Sequence, residues 1–577
     1  MGKQSRKLQQ VADVPIVEAP AWMRKLDSDL YAIMAIIAIW VVAILLIDPR
    51  GNFPLNDDWC YGKPVFELLR AHRFHLAGVV SMPIIGMVLW AVPFCLILGS
   101  TFEALRIATL VLALGGLLAL YGLLREAGMP RWAAFFGSVV LALNPLYLLL
   151  SHGFMTDVPS VAFMLIGMYA YARALRSDSI GMILLGTVPA CAAALTRQIG
   201  FFLPFGFALA YLVGYGVRLR SVLRAAIPVL VTVTTYLGYI YWLESTHRLP
   251  KLYNMQSNTI SKFLARGPSF WADAAQGVAF TSYQYMGLLL LPFLILTIPR
   301  WKHVLTLRQR RTNFRVSLIT GLIVMTTLAS GRIWLPMRNV KGDYIWNFGM
   351  GPLTLRDTWR EHVAHFPNAM PEGFWIVVTA AAVIGGALLL WHLLAAIEML
   401  ASRDRESFPT SYKAFLVLPL SVAAMNVALM LPLSAFVYFD RYYLCPIAAS
   451  IVLVALTTGP SLKPNRLCIS VALLTLLLIG SFGIGATHDY LAWNRVRWHA
   501  VDELMRTEQV NPRDIDGGQE FGAWYNFDES KLTWDVFDDY VITFGPMRGY
   551  EVHKRYTYRH WMPPGEASIY VLRKPYD

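Results

Sequence analysis

The sequence predicts an all-α polytopic membrane protein with about 13 transmembrane helices and a small C-terminal α+β domain. Of its 577 residues, 56% are hydrophobic and 15% are charged, whereas a soluble protein carries roughly 25% charged residues. The apolar residues fall in blocks of about 20, the length that crosses a bilayer as a helix. Residues 487–577 lack such a block. Together these observations exclude a disordered chain, a coiled coil and an ordinary soluble enzyme.

Thirteen apolar blocks are the predicted spans. They are Ser28–Asp48, Thr101–Leu124, Trp132–Leu150, Val158–Ala172, Ile180–Thr196, Ile199–Tyr215, Ala225–Leu243, Ala275–Ile298, Val316–Trp334, Phe374–Glu398, Ala414–Ser434, Tyr442–Gly459 and Leu467–Ala486. A further apolar stretch, Met82–Gly99, contains Pro83, Gly86 and Pro93. If this stretch were counted as a span, the difference in basic residues between the inner and outer loops after it would be weakened. We therefore interpret it as an interfacial or re-entrant helix, with a full span as the alternative.

Basic residues in the loops predict the orientation. With the N-terminal tail 1–27 inside, the inner loops hold 23 Lys and Arg in 89 residues, and the outer loops hold 14 in 138. This asymmetry follows the positive-inside rule and places the membrane domain 28–486 with its C-terminal end outside. The net charge of +13 is therefore a topology signal that indicates contact with membrane lipid, and no nucleic-acid partner is predicted. The five cysteines show neither a disulfide framework nor a zinc pattern.

The polar C-terminal segment 487–577 is predicted to be a separate domain on the outer face. Trp498–Arg506 has the pattern of a short helix, and Asp538–Phe544 and Ala567–Arg573 alternate like strands. The segment is rich in aromatic and turn residues. These features predict a small α+β fold.

Two neighbouring carboxylates stand out in the first outer loop, which reads Asn56-Asp57-Asp58-Trp59 before the amphipathic stretch Val65–Phe74. Such residues can cap a helix and favour its dipole. A cap needs only one acceptor, however, and two adjacent carboxylates repel each other. The pair is therefore a candidate for either capping or chemistry.

The second outer loop offers Thr156 and Asp157, followed by Pro159. This is a strong helix-start pattern on its own, so capping is the simpler interpretation. His152, in the same loop, could form a metal site with Asp157 and a carboxylate of the first loop, although the spacing is a weak signal.

Two arginines lie at the outer ends of spans. Arg197 precedes Gln198 between two short apolar blocks, and Arg441 lies between Asp440 and Tyr442 at the start of another span. An arginine at this depth must be paired or must line a polar cavity. It either extends to the lipid headgroups or binds an anion such as a phosphate.

These motifs, in this order, resemble polytopic glycosyltransferases of the GT-C fold, in the bacterial branch grouped with protein O-mannosyltransferases and aminoarabinose transferases. The residues that carry the resemblance are Asp57-Asp58, Phe154-Met155-Thr156-Asp157-Val158-Pro159, Thr196-Arg197-Gln198 and Asp440-Arg441-Tyr442, together with the thirteen-span layout.

The resemblance implies an inverting transfer of a sugar from a polyprenyl-phosphate donor to a hydroxyl of a periplasmic glycan, lipid or protein. It implies a bacterial inner-membrane location with a cytoplasmic N-terminus. It assigns catalysis to Asp57, as base, with Asp58 and Asp157, and donor-phosphate binding to Arg197 and Arg441. His152, Thr156, Gln198, Asp440 and Tyr442 are further candidates.

The donor sugar, the acceptor and the metal stay open. Aminoarabinose transferases carry a Glu-Lys-Pro-Pro-like segment where this chain has Ser81-Met82-Pro83-Ile84. A divalent ion, Mg²⁺ or Mn²⁺, held by Asp157 is a further expectation. The alternative functions are a transporter or flippase of an anionic lipid-linked substrate, or a non-catalytic assembly protein in which Asp57 and Asp157 act only as caps.

Overall fold

The computed structural model describes residues 28–256, 258–298, 308–336, 344–345, 347, 351, 353–359, 370–402, 409–434, 439–459, 462 and 464–575. The α-helices are α1 Asp29–Ile47, α2 Asp58–Ala71, α3 Ile85–Leu98, α4 Phe102–Glu126, α5 Arg131–Ala142, α6 Pro145–Ser151, α7 Asp157–Ser177, α8 Ile180–Ala194, α9 Phe202–Tyr215, α10 Leu219–Ser245, α11 Lys251–Gln256, α12 Thr259–Leu264, α13 Pro268–Leu296, α14 Arg308–Gly331, α15 Arg356–Trp359, α16 Glu372–Ala401, α17 Thr410–Ser434, α18 Leu444–Thr458, α19 Arg466–Arg506 and α20 Gln519–Asn526. Short 3₁₀ turns, Gln198–Phe201, Asp440–Tyr443 and Pro512–Asp514, precede α9, α18 and the sheet.

The predicted polytopic helical architecture is confirmed, and each of the thirteen predicted spans coincides with helix. Within the described residues, eleven helices are long and apolar enough to cross a membrane, and the bent pair α5–α6, with an angle of 61°, would be a twelfth. The remaining predicted span, α8, has 15 residues and is about 22 Å long at 1.5 Å per residue, too short to cross a bilayer core alone.

The stretch Met82–Gly99 contains the 14-residue helix α3, which is also too short for a full span. Gly86 in α3 packs directly on the end of α8, and its N–H donates to the Leu195 carbonyl at 3.0 Å. This contact fixes α3 beside the turn that carries Arg197. Its depth in the membrane stays a prediction.

The C-terminal end of the membrane domain differs from expectation. The predicted last span and the predicted short helix Trp498–Arg506 are two parts of α19, a continuous helix of 41 residues, so the expected boundary at residue 487 falls inside it. Neither Gly nor Pro interrupts the segment between them, and a buried stripe continues through Tyr490, Trp493, Arg497 and Val501.

Beyond α19 the chain forms a four-stranded sheet in the order β1-β4-β6-β5, with a separate two-stranded ribbon β2-β3. The strands are β1 Ile515–Asp516, β2 Phe527–Asp528, β3 Thr533–Trp534, β4 Tyr540–Thr543, β5 Glu551–Trp561 and β6 Pro564–Arg573. β1 pairs with β4 in parallel, and β6 pairs with β4 and β5 antiparallel. The two predicted strands correspond to β4 and β6. The long strand β5 was missed because its mostly polar, largely exposed residues lack an apolar alternation.

Glycines allow the two helices α13 and α16 to approach closely. A Cβ atom on Gly287 would lie 2.3 Å from the backbone oxygen of Ala382 and from the nitrogen of Gly386, and Gly385 meets the Gly287 backbone in the same way. Small residues at helix crossings in membranes have this role, because association there depends on close packing.

We therefore expect Gly287→Leu to destabilise the protein by about 1–3 kcal/mol through overpacking. The measurement is thermal unfolding of the detergent-solubilised protein, together with its folded yield. Gly238→Leu is the matched control, because a Cβ there meets nothing within 4 Å. Equal loss in both variants would contradict the packing argument.

Candidate active site

The first outer loop presents Asp57 at the start of α2. Its position is that of the N-cap, but its side chain makes no capping hydrogen bond. The preceding residue, Asn56, has a left-handed backbone with φ 51°, which turns the chain sharply into the helix. Asp57 is partly exposed while its neighbours Asn56 and Asp58 are buried. The carboxylate is therefore not used in building the helix, and the capping interpretation fails for it.

Asp58 has a different environment. Its side chain accepts from the Phe154 N–H at 2.7 Å and from the Leu55 N–H at 3.3 Å. It is 2% exposed, and burial raises its pKa to about 7, although Arg106 and the two backbone donors favour the ionised form. Asp58 thus ties the first outer loop to the second.

The second outer loop meets the turn between α8 and α9. Thr156 occupies the N-cap of α7, again without a side-chain capping bond, and its hydroxyl accepts from Arg197 at 3.2 Å. Asp157 Oδ1 accepts from the same guanidinium in a direct ion pair. Both partners are more than 90% buried. The two motifs that the sequence placed far apart therefore form one charged contact.

Arg441 lies on the short turn before α18, is 9% exposed, and its Nε and Nη1 have no hydrogen-bond partner among the described residues. The ring of Tyr442 lies 4.8 Å from the Arg197 guanidinium carbon and 5.9 Å from that of Arg441. These cation–π contacts hold two guanidiniums near one ring. A buried cation without a hydrogen-bonded acceptor indicates a place for an anion.

The predicted carboxylates and arginines act on each other electrostatically. Burial raises the pKa of Asp57, and the nearby Asp157 raises it further. The guanidiniums of Arg441 and Arg197 lower it. The pKa of the neighbouring Tyr61 hydroxyl is raised too, first by burial and then by Asp57. Asp57, Asp157, Arg197 and Arg441 thus lie close enough to influence one another, and their roles stay a prediction.

The other candidates hold the surrounding backbone. Asp440 Oδ2 accepts from the Ile345 N–H at 2.9 Å, and Gln198 Nε2 donates to the Ser81 carbonyl at 3.1 Å. His152 is fully buried, with its Nδ1 2.7 Å from the Leu148 carbonyl oxygen.

The predicted metal site does not fit this arrangement. In the part of the chain that the structure describes, no three His, Cys, Asp or Glu side chains converge as a metal site would require. Asp157, the expected ligand, is instead paired with the Arg197 guanidinium, and a second cation at that carboxylate would be repelled. The positive charge at the cluster comes from arginine.

Two buried charged residues at this site were not predicted. Arg106, inside α4, donates to the backbone carbonyls of Pro49, Gly51 and Phe53 and thereby shapes the first loop. A charge within an apolar span was a usable signal for it. Glu520, in the C-terminal domain, accepts from the Asn56 N–H at 3.1 Å. Nothing in the sequence connects it with the first loop.

Comparison with known proteins supports the resemblance. The family model for dolichyl-phosphate-mannose-protein mannosyltransferase matches residues 83–242, which confirms, over that stretch, the resemblance predicted from the sequence. No curated protein matches the chain in sequence.

Several solved structures are similar at low identity. ArnT from Cupriavidus metallidurans bound to undecaprenyl phosphate has 14% identity and a TM-score of 0.38, covering 94% of this chain and 97% of that one. The S. cerevisiae protein O-mannosyltransferase Pmt1–Pmt2 complex bound to the sugar donor has 15% identity and a TM-score of 0.31, covering 38% of this chain and 35% of that one. The archaeal oligosaccharyltransferase AglB from Archaeoglobus fulgidus has 14% identity and a TM-score of 0.40, covering 84% of this chain and 58% of that one.

The raised pKa of Asp58 predicts a pH-dependent contribution to stability. The folded protein holds this proton up to about pH 7, whereas the unfolded carboxyl releases it near its ordinary pKa of 3.8. The contribution is complete below about pH 4 and is lost as the pH rises through 7. We expect the stability of the wild type relative to Asp58→Asn to decrease between pH 4 and 7.

Thermal unfolding of both proteins in detergent across this pH range measures the difference. Asp273→Asn, at an exposed position on α13, is the control for the substitution itself. A constant difference for Asp58→Asn would show that this carboxyl does not titrate in the range.

Proposed function

We propose that the chain is an inverting glycosyltransferase that moves a sugar from a polyprenyl-phosphate donor to a hydroxyl group of an acceptor at the outer face of a bacterial inner membrane. The observation that carries the proposal is the proximity of Asp57, whose side chain makes no capping bond, to Arg441, a buried arginine whose Nε and Nη1 have no hydrogen-bond partner among the described residues. A base beside an anion site is the arrangement that displacement of a sugar phosphate requires.

The chemistry follows from the charges. A sugar phosphate departs as an anion, so its leaving oxygen needs no proton, and cations stabilise the charge that develops on it. We assign this to Arg441 and Arg197. The Tyr442 ring beside both guanidiniums limits their movement and keeps their charges directed at the same region.

The acceptor hydroxyl must lose its proton as it attacks the anomeric carbon from the face opposite the phosphate. Asp57 is the proposed base, and a single displacement of this kind inverts the anomeric centre. Burial raises its pKa, which strengthens its carboxylate as a base. Asp157, held by Arg197, is proposed to position that arginine.

The membrane supplies the rest of the donor site. A polyprenyl chain is apolar, and the described part of the chain has eleven helices that are long and apolar enough to cross a membrane. The excess of basic residues in the inner loops supports placing the cluster on the outer, periplasmic face. The acceptor is a glycan, lipid or protein available on that face.

Asp57→Asn should reduce transfer by about 10²–10⁴-fold, the usual loss when a general base is removed. Membranes are assayed with undecaprenyl-phosphate-linked hexoses and pentoses, and transfer is measured as release of undecaprenyl phosphate with a glycosylated product. Asp48→Asn, in the same outer loop and paired with the exposed Arg50, is the control. Turnover near the wild-type rate in Asp57→Asn would remove the base assignment.

Arg441→Ala should weaken undecaprenyl-phosphate binding about tenfold to a hundredfold, because it removes a charge-assisted contact worth about 1.5–3 kcal/mol. Binding is measured with the purified protein and undecaprenyl phosphate alone. Arg70→Ala is the control, because this arginine of α2 is exposed and donates only to the Ser100 carbonyl among the described residues. Unchanged binding in Arg441→Ala would contradict the phosphate site, and transport of the lipid without product would favour the flippase alternative.

A further inference from the structure

The C-terminal domain contacts the backbone immediately before Asp57. Glu520, in the first turn of α20, is fully buried, and its Oε1 accepts from the Asn56 N–H at 3.1 Å. Asn56 has φ 51°, a left-handed conformation that an asparagine adopts at some cost and only when its surroundings fix it. This hydrogen bond therefore fixes the residue that determines where Asp57 points.

Glu520 is itself held firmly. Its Oε2 accepts from the Thr354 hydroxyl at 2.6 Å and lies 3.0 Å from the Arg497 guanidinium, and neither charged side chain is exposed. Arg497 also lies over the rings of Trp493 and Trp498, at 5.4 and 5.2 Å. A buried charge is stable only with such partners, so the carboxylate has little freedom to move away from Asn56.

We infer that Glu520 is a positioning residue for the proposed glycosyl transfer: through its hydrogen bond to the Asn56 N–H it holds Asp57 in the orientation that accepts the proton. The inference rests on the proposed function for the reaction itself. It makes the C-terminal domain a part of the active site, because the domain supplies a buried group that the membrane helices do not provide.

The same domain contains a matched contact that does not lie beside Asp57. Glu529 Oε2 accepts from the Gly78 N–H at 2.8 Å, beyond the other end of α2. Both glutamates thus join the C-terminal domain to the first outer loop by a carboxylate-to-backbone bond, but only Glu520 bonds the residue next to Asp57. Comparing them separates positioning of Asp57 from docking of the domain.

The charges around Asp57 determine in which direction its pKa should change when Glu520 is replaced. The titratable and charged groups that act on it or respond to it are Asp58, Cys60, Tyr61, Asp157, Arg197, Arg441 and Glu520. Among these, the carboxylate of Glu520 raises the pKa of Asp57, after the larger effects of burial and of Arg441. Glu520→Gln removes this negative charge and leaves Arg497 unopposed, and both changes lower the pKa of Asp57.

The first measurement needs no sugar donor. Dicyclohexylcarbodiimide reacts with protonated buried carboxyl groups, so its pH-dependent incorporation at Asp57, followed by mass spectrometry of the full-length protein, reports the protonation of that carboxyl. We expect Glu520→Gln to move the midpoint about 1 pH unit lower, the usual size of a nearby-charge effect. Glu529→Gln should keep the wild-type midpoint. An unchanged midpoint in Glu520→Gln would overturn the inference.

The second measurement is turnover with the undecaprenyl-phosphate-linked sugar that the wild type transfers. Glu520→Leu, which removes the acceptor that a glutamine would keep for the Asn56 N–H, should lower kcat about 100-fold, as misplacement of a catalytic group does. It should change the donor KM less than twofold and shift the acidic limb of the pH profile to lower pH. Glu529→Leu should keep kcat. Equal loss of kcat in both variants would show that the domain is only a docked support and would overturn the inference.

Two further arms keep the outcomes separate. Glu520→Gln combined with Arg497→Gln leaves no unpaired buried charge, so it replaces the single variant if that protein does not fold. A smaller shift of the same sign at Asp57 is expected, because the Glu520 carboxylate is lost but no unopposed Arg497 charge remains. If the wild type transfers no sugar yet Glu520→Gln shifts the labelling midpoint, the proposed function fails while the positioning of Asp57 stands.

Discussion

The buried ion pair between Arg197 and Asp157 is the contact on which the outer face of this protein depends. A carboxylate partner stabilises a guanidinium that is removed from water, and this pairing brings the start of α7 to the turn between α8 and α9. The ring of Tyr442, in contact with both Arg197 and Arg441, brings the turn before α18 to the same place. One carboxylate and one aromatic ring therefore assemble three distant parts of the chain, and Nε and Nη1 of Arg441 are left without a hydrogen-bond partner in the described residues.

The C-terminal domain helps to fix the first outer loop, which contains Asp57. The first outer loop has a left-handed residue, Asn56, and a helix N-cap, Asp57, whose side chain does not bond the helix, so its own sequence does little to fix it. Glu520 and Glu529 bond its backbone from the other side. Trp59 of the loop helix also packs on Phe527, with ring centroids 4.9 Å apart. The loop is a layer between the membrane helices and the domain, and both are needed to define its shape.

Much of this arrangement could be predicted from the sequence, and the limits have physical causes. Apolar blocks of about 20 residues locate helices well, because the bilayer imposes length and composition together. Length alone failed at α8, a short helix that ends at the turn carrying Arg197, and at α19, whose buried stripe continues past the last apolar block. Asp57, Asp157, Arg197 and Arg441 could be proposed from the sequence because charge is scarce at span ends. Glu520 could not be found, since its partner Asn56 is 464 residues away and the contact uses a backbone N–H that any residue carries.

The two adjacent aspartates show why residue type and spacing cannot assign roles. In sequence, Asp57 and Asp58 are equivalent candidates for a cap, a base or a ligand. In the folded protein, the carboxyl oxygens of Asp58 accept hydrogen bonds from backbone N–H groups of two loops. Burial raises the pKa of Asp58 to about 7. Asp57 accepts no capping bond and is influenced by both arginines. Helix geometry sends neighbouring side chains about 100° apart, so one carboxylate points into the loop junction and holds it together while the other is left to face the arginines. A pair of this kind divides the tasks of building a site and of acting in it, and the division depends on the backbone turn at Asn56 that Glu520 holds.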